Sequence, residues 1–176
     1  MRKQKGFSLI ELLIVVAIIL IIAAIAIPNL LRARIAANES SAVSSIRVLT
    51  TAEVTYQTAY PTIGYAVTAT GLKYLGGPLN VGCTPQSTTA CLIDSVLANN
   101  GNPAGSGKSG YTFNTGAGTT INGLAVGYTV QAQPVNINQT GIRGFCAEED
   151  AVLRVDPLGV CSNSEAGILG FNPLNQ

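Results

Sequence analysis

Lys5-Gly6-Phe7-Ser8-Leu9-Ile10-Glu11-Leu12 opens an apolar run that continues without a charged residue to Ile27. This stretch places one carboxylate, that of Glu11, at the beginning of a segment otherwise suited to lipid. A charged side chain inside a membrane is costly, so such a residue is by default functional and needs a partner. The stretch therefore predicts a membrane-associated helix whose single acid has a task.

The apolar run is long enough to remain in the protein as an anchor. The 21 residues from Phe7 to Ile27 form a helix of about 32 Å, which crosses a hydrocarbon layer of about 30 Å. The main alternative is a secretory signal peptide, which has an apolar core of only ~7–15 residues followed by a cut between small residues. This run is longer than such a core and contains the acid Glu11 near its beginning, so we favour a retained anchor.

Composition indicates one anchor and one modest domain. The chain has 176 residues, of which only 11% are charged, against about 25% in an average soluble protein. Three of the ten bases, Arg2, Lys3 and Lys5, precede the apolar run; the other seven face nine acids, which gives −2. The leading bases keep the N-terminus in the cytoplasm and the head across the membrane. The remainder has no basic stripe, so we expect no direct nucleic-acid binding.

The pattern after the apolar run predicts that one helix extends from Phe7 to about Tyr60. Pro28 interrupts it, because proline lacks an N–H and its ring clashes with the preceding turn; we expect a kink or a loosened turn there. Further on the helix becomes amphipathic. Its predicted apolar stripe comprises Leu31, Ile35, Ala42, Ile46, Leu49, Tyr56 and Tyr60, and we place most of the polar residues, including Glu39 and Arg47, off the stripe.

The rest of the chain predicts an α+β head with an antiparallel sheet. Pro61 ends the long helix, and residues 61–108 form a loop-rich connection with one short helix at Thr89–Ala98. Alternating residues predict strands at Gly110–Asn114, Leu124–Gln133, Arg143–Ala147 and Ala151–Val155. The last two strands form a hairpin with Glu148-Glu149-Asp150 at its tip. The tail after Asp156-Pro157-Leu158-Gly159 shows little regular pattern.

Four cysteines lie in the predicted head, at Cys83, Cys91, Cys146 and Cys161. The head lies outside the cytoplasm, where disulfides persist. Four cysteines allow three pairings, and sequence proximity favours Cys83–Cys91 and Cys146–Cys161. Free buried thiols are the alternative. A zinc site is disfavoured, because the spacings are not C-x-x-C and the chain has no histidine.

The N-terminus resembles the processing and assembly motif that type IV prepilins share with the pseudopilins of type II secretion systems. The residues that carry the resemblance are Gly6, Phe7, Glu11 and Pro28. The resemblance implies that an inner-membrane prepilin peptidase cuts between Gly6 and Phe7 and methylates the new amine of Phe7. It implies that Glu11 then recruits the free amine of an adjacent subunit. The Cys146–Cys161 pair resembles the C-terminal disulfide loop of type IV pilins.

These expectations divide the chain into four parts. Residues 1–6 are a cleaved basic leader, 7–30 a transmembrane and filament-core helix, 31–60 an amphipathic helix that continues into the head, and 61–176 a globular head. The resemblance implies a pilin-like fold, a helical homo-oligomer and assembly by inner-membrane machinery. The precursor is then expected in the inner membrane and the mature chain in a surface pilus, or in a periplasmic pseudopilus.

No enzyme site is expected. The chain has no histidine, no Gly-rich phosphate loop before a helix and no G-x-S-x-G, so we predict neither catalysis nor a cofactor. The acids Glu148, Glu149, Asp150 and Asp156 could together bind calcium, but we favour a solvated hairpin tip and no metal. We predict a structural pilus subunit for adhesion, motility or uptake. A pseudopilin and a membrane-anchored binding domain that never polymerises are the two alternatives.

Overall fold

The structure is a computed structural model that describes residues 7–67, 71–79, 82–161 and 165–174. The chain forms two compact units, Met1–Arg34 and Ile35–Gln176. The first consists of apolar helix in its described part. The second, the head, contains the sheet and both disulfides.

The long helix α1 comprises Leu9–Ala59 and is assigned as continuous through Pro28. It forms because the segment contains no glycine and is rich in leucine, isoleucine and alanine, which favour or tolerate the helical backbone. It ends just before Pro61, because a proline disfavours helical angles in the residue that precedes it. The predicted helix from Phe7 to about Tyr60 is confirmed within two residues.

In the head, one side of α1 lies in the core. Ala42, Ile46, Leu49 and Tyr56 are no more than 1% exposed, and Tyr60 packs at the edge of the same cluster. The same cluster contains residues of the loop-rich connection and the sheet residues Tyr111, Phe113, Tyr128, Val130, Ala132, Phe145 and Ala147. The predicted stripe is therefore confirmed within the head, whereas Leu31 is 48% exposed.

The strands are β1 (Tyr111–Ala117), β2 (Thr120–Ile121), β3 (Leu124–Ala125), β4 (Tyr128–Pro134), β5 (Gly144–Glu148), β6 (Arg154–Asp156) and β7 (Asn172–Pro173). Five of them form an antiparallel sheet in the order β1-β4-β5-β6-β7, and β2 and β3 form a separate hairpin. Side chains alternate across a strand, so Tyr128, Val130 and Ala132 face α1 while Thr129 and Gln131 face away. Nearly all of β4 is buried, which shows that both sheet faces are covered.

The C-terminal segment packs on the face of the sheet that α1 does not cover. Cys146 of β5, Cys161 and Ile168 form a small buried cluster, and Phe171 packs against it. Ile168 ends the short helix α4 (Glu165–Ile168), and β7 then pairs with β6. The sequence pattern did not indicate α4 or β7, because the order of this segment comes from contacts with the sheet rather than from a local pattern.

Two predicted strands differ from the structure. The predicted strand Leu124–Gln133 is divided, because the N–H groups of Val126 and Gly127 both donate to Thr119 O and end β3 before β4 begins. The two parts then pair in different sheets. Likewise β6 contains only the end of the predicted Ala151–Val155 strand, since Ala151 adopts a positive φ of 58°. The predicted hairpin is confirmed, as β5 and β6 are antiparallel partners.

The loop-rich connection contains two short helices, α2 (Gly71–Leu75) and α3 (Ser95–Ala98). The sequence pattern did not indicate α2. The predicted helix at Thr89–Ala98 begins too early. Cys91 has a φ of 59°, and a residue with this angle cannot be part of a right-handed helix. Asp94 instead begins α3, with its carboxylate accepting from Leu97 N at 2.9 Å. The α+β architecture itself, a long N-terminal helix with an antiparallel sheet, is confirmed.

Candidate assembly site

The carboxylate of Glu11 caps the first turn of α1. Ser8 precedes the helix, and the backbone N–H of Ser8 donates to Glu11 Oε2 at 2.9 Å. A glutamate in the third helical position satisfies an otherwise unpaired N–H in this way, and its negative charge faces the positive end of the helix dipole. The carboxylate is exposed, so in a single chain it has this local partner and remains open to another cation.

The apolar segment of α1 has no cover within its own unit. Its large side chains are between 45% and 75% exposed from Phe7 to Leu30. By length and composition, this is the one helix in the described part of the chain that could cross a membrane. Because burying each large apolar side chain contributes about 1.5–3 kcal/mol, the segment requires lipid or other protein around it.

The motif residues are only partly described. Gly6, on the proposed cleavage site, lies outside the described residues, whereas Phe7 is described and 75% exposed. Phe7 and Glu11 are separated by four positions, about one helical turn. Pro28 lies inside α1 and is exposed; the loosened turn at Pro28 stays a prediction. The local sequence thus brings Phe7 and Glu11 to one end of the apolar segment.

Both disulfides in the head join the cysteines that sequence proximity favours. Cys83 is bonded to Cys91, and Cys146 is bonded to Cys161. The first closes a loop of eight residues beside α2 and α3, and the second closes a loop of 15 residues from β5 across the turn after β6. Asp156 holds that turn, because its carboxylate accepts from Leu158 N and Val160 N at 2.9 and 2.8 Å.

An ion pair fastens α1 to the loop before β5. Glu39 Oε2 accepts from Arg143 Nη2 at 2.6 Å and from Nε at 2.9 Å, while Oε1 accepts from the N–H groups of Ile142 and Arg143. Burial raises the pKa of Glu39, but the bonds to Arg143 and to the backbone outweigh burial and hold the pKa below its usual value. The expectation that Glu39 lies off the buried stripe was wrong, because four hydrogen bonds compensate its burial.

Glu53 is a second carboxylate on the buried side of α1, and it lacks a cation. The side chain is completely buried, Oε2 accepts from Ala66 N at 2.8 Å, and Oε1 has no hydrogen-bond partner among the described residues. Burial raises the pKa of Glu53 to about 7, although the bond from Ala66 lowers it in part. The sequence pattern did not predict that Glu39 and Glu53 are buried. The signal was present, since the seven-residue steps of the stripe, Ile35 to Ala42 and Leu49 to Tyr56, pass over Glu39 and Glu53.

The acidic turn between β5 and β6 is organised by an arginine. The guanidinium of Arg154 lies 3.2 Å from Glu148 Oε1 and 2.5 Å from Asp150 Oδ2, and it also donates to Val152 O. The bond from Arg154 lowers the pKa of Asp150 although burial raises it. The expected solvated tip is therefore wrong for Glu148 and Asp156, which are 4% and 3% exposed, and correct for Glu149. No group of acids, cysteines or histidines within the described ranges has the arrangement of a metal site.

Comparisons with known proteins agree with this arrangement. A family model described as the prokaryotic N-terminal methylation motif matches residues 1–27. The type IV wide pilus major component PilA4 of Thermus thermophilus is 41% identical over 99 residues, which cover 53% of this chain and 74% of that protein. No solved structure gives a significant match.

Two further relatives match over shorter segments. The type IV major pilin protein PilA of Myxococcus xanthus is 46% identical over 54 residues, covering 31% of this chain and 24% of that protein. The type II secretion system core protein G of Vibrio cholerae is 42% identical over 65 residues, covering 35% and 44%. The match across most of PilA4, together with the methylation motif and the uncovered apolar helix, shows that the chain belongs to the type IV pilin family.

Proposed function

We propose that the chain is a structural subunit of a type IV pilus, polymerised through its N-terminal helix. The observation that carries the proposal is the apolar segment of α1, which has no cover in its own unit although the head buries its own core. The similarity to a major pilus component supports a filament over an isolated anchor. A filament in which such segments pack against one another supplies the missing cover.

In this proposal the N-terminal residues are processed before assembly. Prepilin peptidase removes residues 1–6 and methylates Phe7, residues 7–30 cross the inner membrane and later form the filament core, 31–60 lead into the head, and 61–176 form the outer surface. The match of the methylation motif to residues 1–27 supports this order. Inner-membrane machinery then moves the subunit from the membrane into a surface pilus used for adhesion, motility or uptake.

Glu11 sets the register of assembly in this proposal. An ammonium and a carboxylate are each costly to bury alone and attract strongly in apolar surroundings. The amine of Phe7 on a neighbouring copy is such a partner, and it would compete with or add to the bond from Ser8 N. A neighbour is therefore held at the axial position where its charge meets Glu11. Pro28 supports packing by loosening the helix, and Ala17, Ala23 and Ala24 permit close approach of helices.

A pseudopilin of a type II secretion system is the second candidate. The relative from Vibrio cholerae supports it, and the processing steps would be the same. The Cys146–Cys161 pair favours a pilus, because major pseudopilins usually lack it.

Mass spectrometry of material sheared from the cell surface tests the proposal. We expect an abundant chain that begins at methylated Phe7. A processed chain confined to the envelope would support the pseudopilin instead. A chain that still begins at Met1 and never enters the sheared fraction would contradict both and support a non-polymerising anchored domain.

A further inference from the structure

Most charged side chains of the head are neutralised within the chain. Lys108 pairs with Asp94 at 2.9 Å, Arg143 with Glu39 at 2.6 Å, and Arg154 with Glu148 and Asp150. Among the described residues, the bases left without an ion pair are Arg32, Arg34, Arg47 and Lys73, all of them exposed. The unpaired positive charge thus lies mainly on α1.

Arg32 and Arg34 directly follow the apolar segment. Both side chains are exposed in the first unit and no described acid bonds them. If the preceding residues pack against other helices, the two guanidinium groups come close to a region of low dielectric constant. An unpaired charge in such surroundings is destabilising, because no opposite charge compensates its lost hydration. A counter-charge is needed at this position.

The other two bases have less need of an external partner. Arg47 lines a groove of about 450 Å³ together with Ala151 and Val152, so it lies on the side of the head that carries its own acidic turn. Lys73 is on α2, in the head and outside the helix that a filament would bury. Arg32 and Arg34 are therefore the positions at which an unsatisfied charge would oppose assembly most.

The acidic turn after β5 is the matching negative surface. Glu149 is exposed and has no ion-pair partner among the described side chains, and Asp150 beside it keeps 37% of its side chain exposed while it bonds Arg154. A bond of 2.8 Å from Ala151 N to Glu148 O closes a tight turn that presents both carboxylates outward. Of the other acids whose side chains are described, Glu39, Asp94 and Glu148 are paired, Glu53 and Asp156 are buried, and Glu11 lies at the other end of the apolar segment, where it accepts from Ser8 N.

We propose that the turn at Glu149 and Asp150 of one copy docks against Arg32 or Arg34 on helix α1 of a second copy. The two surfaces are different and opposite in charge, so the contact is heterologous, the class that repeats into open helical filaments. The proposal rests on the proposed function, since it assumes that the chain polymerises. Side chains two residues apart on a helix point about 200° apart, so one turn contacts one of the two arginines.

Charge reversal in the full-length chain tests this contact. Glu149→Lys, Arg32→Glu and Arg34→Glu are made singly, and each arginine reversal is also combined with Glu149→Lys. The chain in the sheared surface fraction is measured relative to the processed chain left in the envelope. We expect Glu149→Lys and one arginine reversal each to lower the sheared fraction about tenfold, because like charges then meet at the interface. The matching double reversal should restore it.

Lys73→Glu is the control, because it makes the same change of charge at an exposed base outside the proposed contact. It should leave the sheared fraction unchanged. Two results would overturn the contact while the wild-type chain still forms filaments. One is an equal loss of sheared chain in Lys73→Glu, and the other is that neither double reversal restores the sheared fraction. Absence of the wild-type chain from the sheared fraction is a separate result, which contradicts the proposed function itself.

A cross-linking measurement keeps the test valid if a reversed variant fails to fold. A photoreactive benzoylphenylalanine at the exposed position 152, which keeps both Glu149 and Asp150, should give a covalent dimer in which the probe is attached to a peptide of the other copy that contains Arg32 or Arg34. Attachment only to the same chain, to other segments or to lipid contradicts the proposal. The lipid result would identify the two arginines as a membrane-surface contact.

Discussion

Ile18 and Ile46 lie on the same helix and have the same side chain, yet 52% of Ile18 is exposed and none of Ile46. Ile46 meets the aromatic and aliphatic residues of the sheet, whereas Ile18 belongs to a unit with no such residues around it. In water, this difference in burial corresponds to a free energy of about 1–2 kcal/mol for each such side chain. The head is thus stable through its own contacts, and the apolar segment needs a partner or lipid.

The same contrast separates the carboxylates of α1. Glu39 and Glu53 have their partners in the head, an arginine for one and a backbone N–H for the other. Glu11 has only the capping bond from Ser8 N and stays exposed. Changes to Glu11 should therefore affect assembly and spare the head. Changes to the disulfides or to Glu53 should alter the stability of the head.

The largest effect is expected from Glu11→Gln. A glutamine still accepts from Ser8 N in a capping box, so the cap remains while the charge is lost. Removing one partner of a buried ion pair costs about 3–5 kcal/mol, more than about a hundredfold in an equilibrium. We expect processed chain in the envelope and almost none in the sheared fraction, measured by quantitative immunoblotting.

Ser8→Ala is the matched control for Glu11, because it keeps the backbone N–H that bonds the carboxylate. It should assemble nearly as the wild type does. Normal filaments from Glu11→Gln would show that the acid only caps the helix, and the proposed role in assembly would be wrong.

A smaller effect, confined to the head, is expected from Cys146→Ser with Cys161→Ser. Opening a loop of 15 residues lowers the free energy of unfolding by about 3 kcal/mol in the chain-entropy model. Burial of both positions adds to the loss, because the new hydroxyl groups need partners. Urea denaturation of a soluble fragment beginning at Ile35 measures the change.

Removing the other disulfide provides the comparison. Its loop of eight residues predicts about 2.5 kcal/mol, and Cys83 is exposed. Cys83→Ser with Cys91→Ser should therefore be the milder pair. If it destabilised the head more than loss of Cys146–Cys161, the C-terminal loop would not be the main covalent support of the sheet.

The smallest effect is a change of pH dependence from Glu53→Gln. The pKa of Glu53 is raised from 4.5 to about 7, so its stabilising contribution is complete below about pH 4.5 and is lost as the pH rises through 7. The pKa values of Glu39, Asp94 and Asp150 are lowered, so their effect on stability has the opposite dependence on pH. Their contribution is present at neutral pH and is lost as the solution becomes more acidic. Between pH 5 and 8, wild-type stability should fall because of Glu53.

Glu53→Gln keeps an acceptor for Ala66 N and carries no charge. At pH 8 we expect the variant to be about 1–3 kcal/mol more stable than the wild type, with little difference near pH 5. Thermal unfolding of the fragment beginning at Ile35, followed by circular dichroism across this range, checks the result. Glu149→Gln, which removes an exposed carboxylate, should keep the wild-type slope. The same slope in Glu53→Gln would assign the pH dependence to another group.

Local patterns in the sequence were sufficient for the long helix, its apolar segment and the hairpin of β5 and β6. These features rest on periodicity and on residues such as Pro61 that act on their own backbone. The division of Leu124–Gln133 was not predictable in this way, because alternation does not tell which strand each half will pair with. For the same reason α4 and β7 were missed, since both are ordered by contacts distant in sequence.

By itself the sequence determined the parts of this protein that act through composition and short spacing. These are an uncharged segment of membrane length, a carboxylate one turn after Phe7, and the acids and bases available to each part. Only the tertiary structure decided which charged side chains pair with one another within the chain. Glu39 meets Arg143 across 104 positions, and Arg154 occupies the acidic turn. Such pairings depend on how the sheet and α1 pack, whereas the charges left over, at Arg32, Arg34 and Glu149, are those the fold does not satisfy.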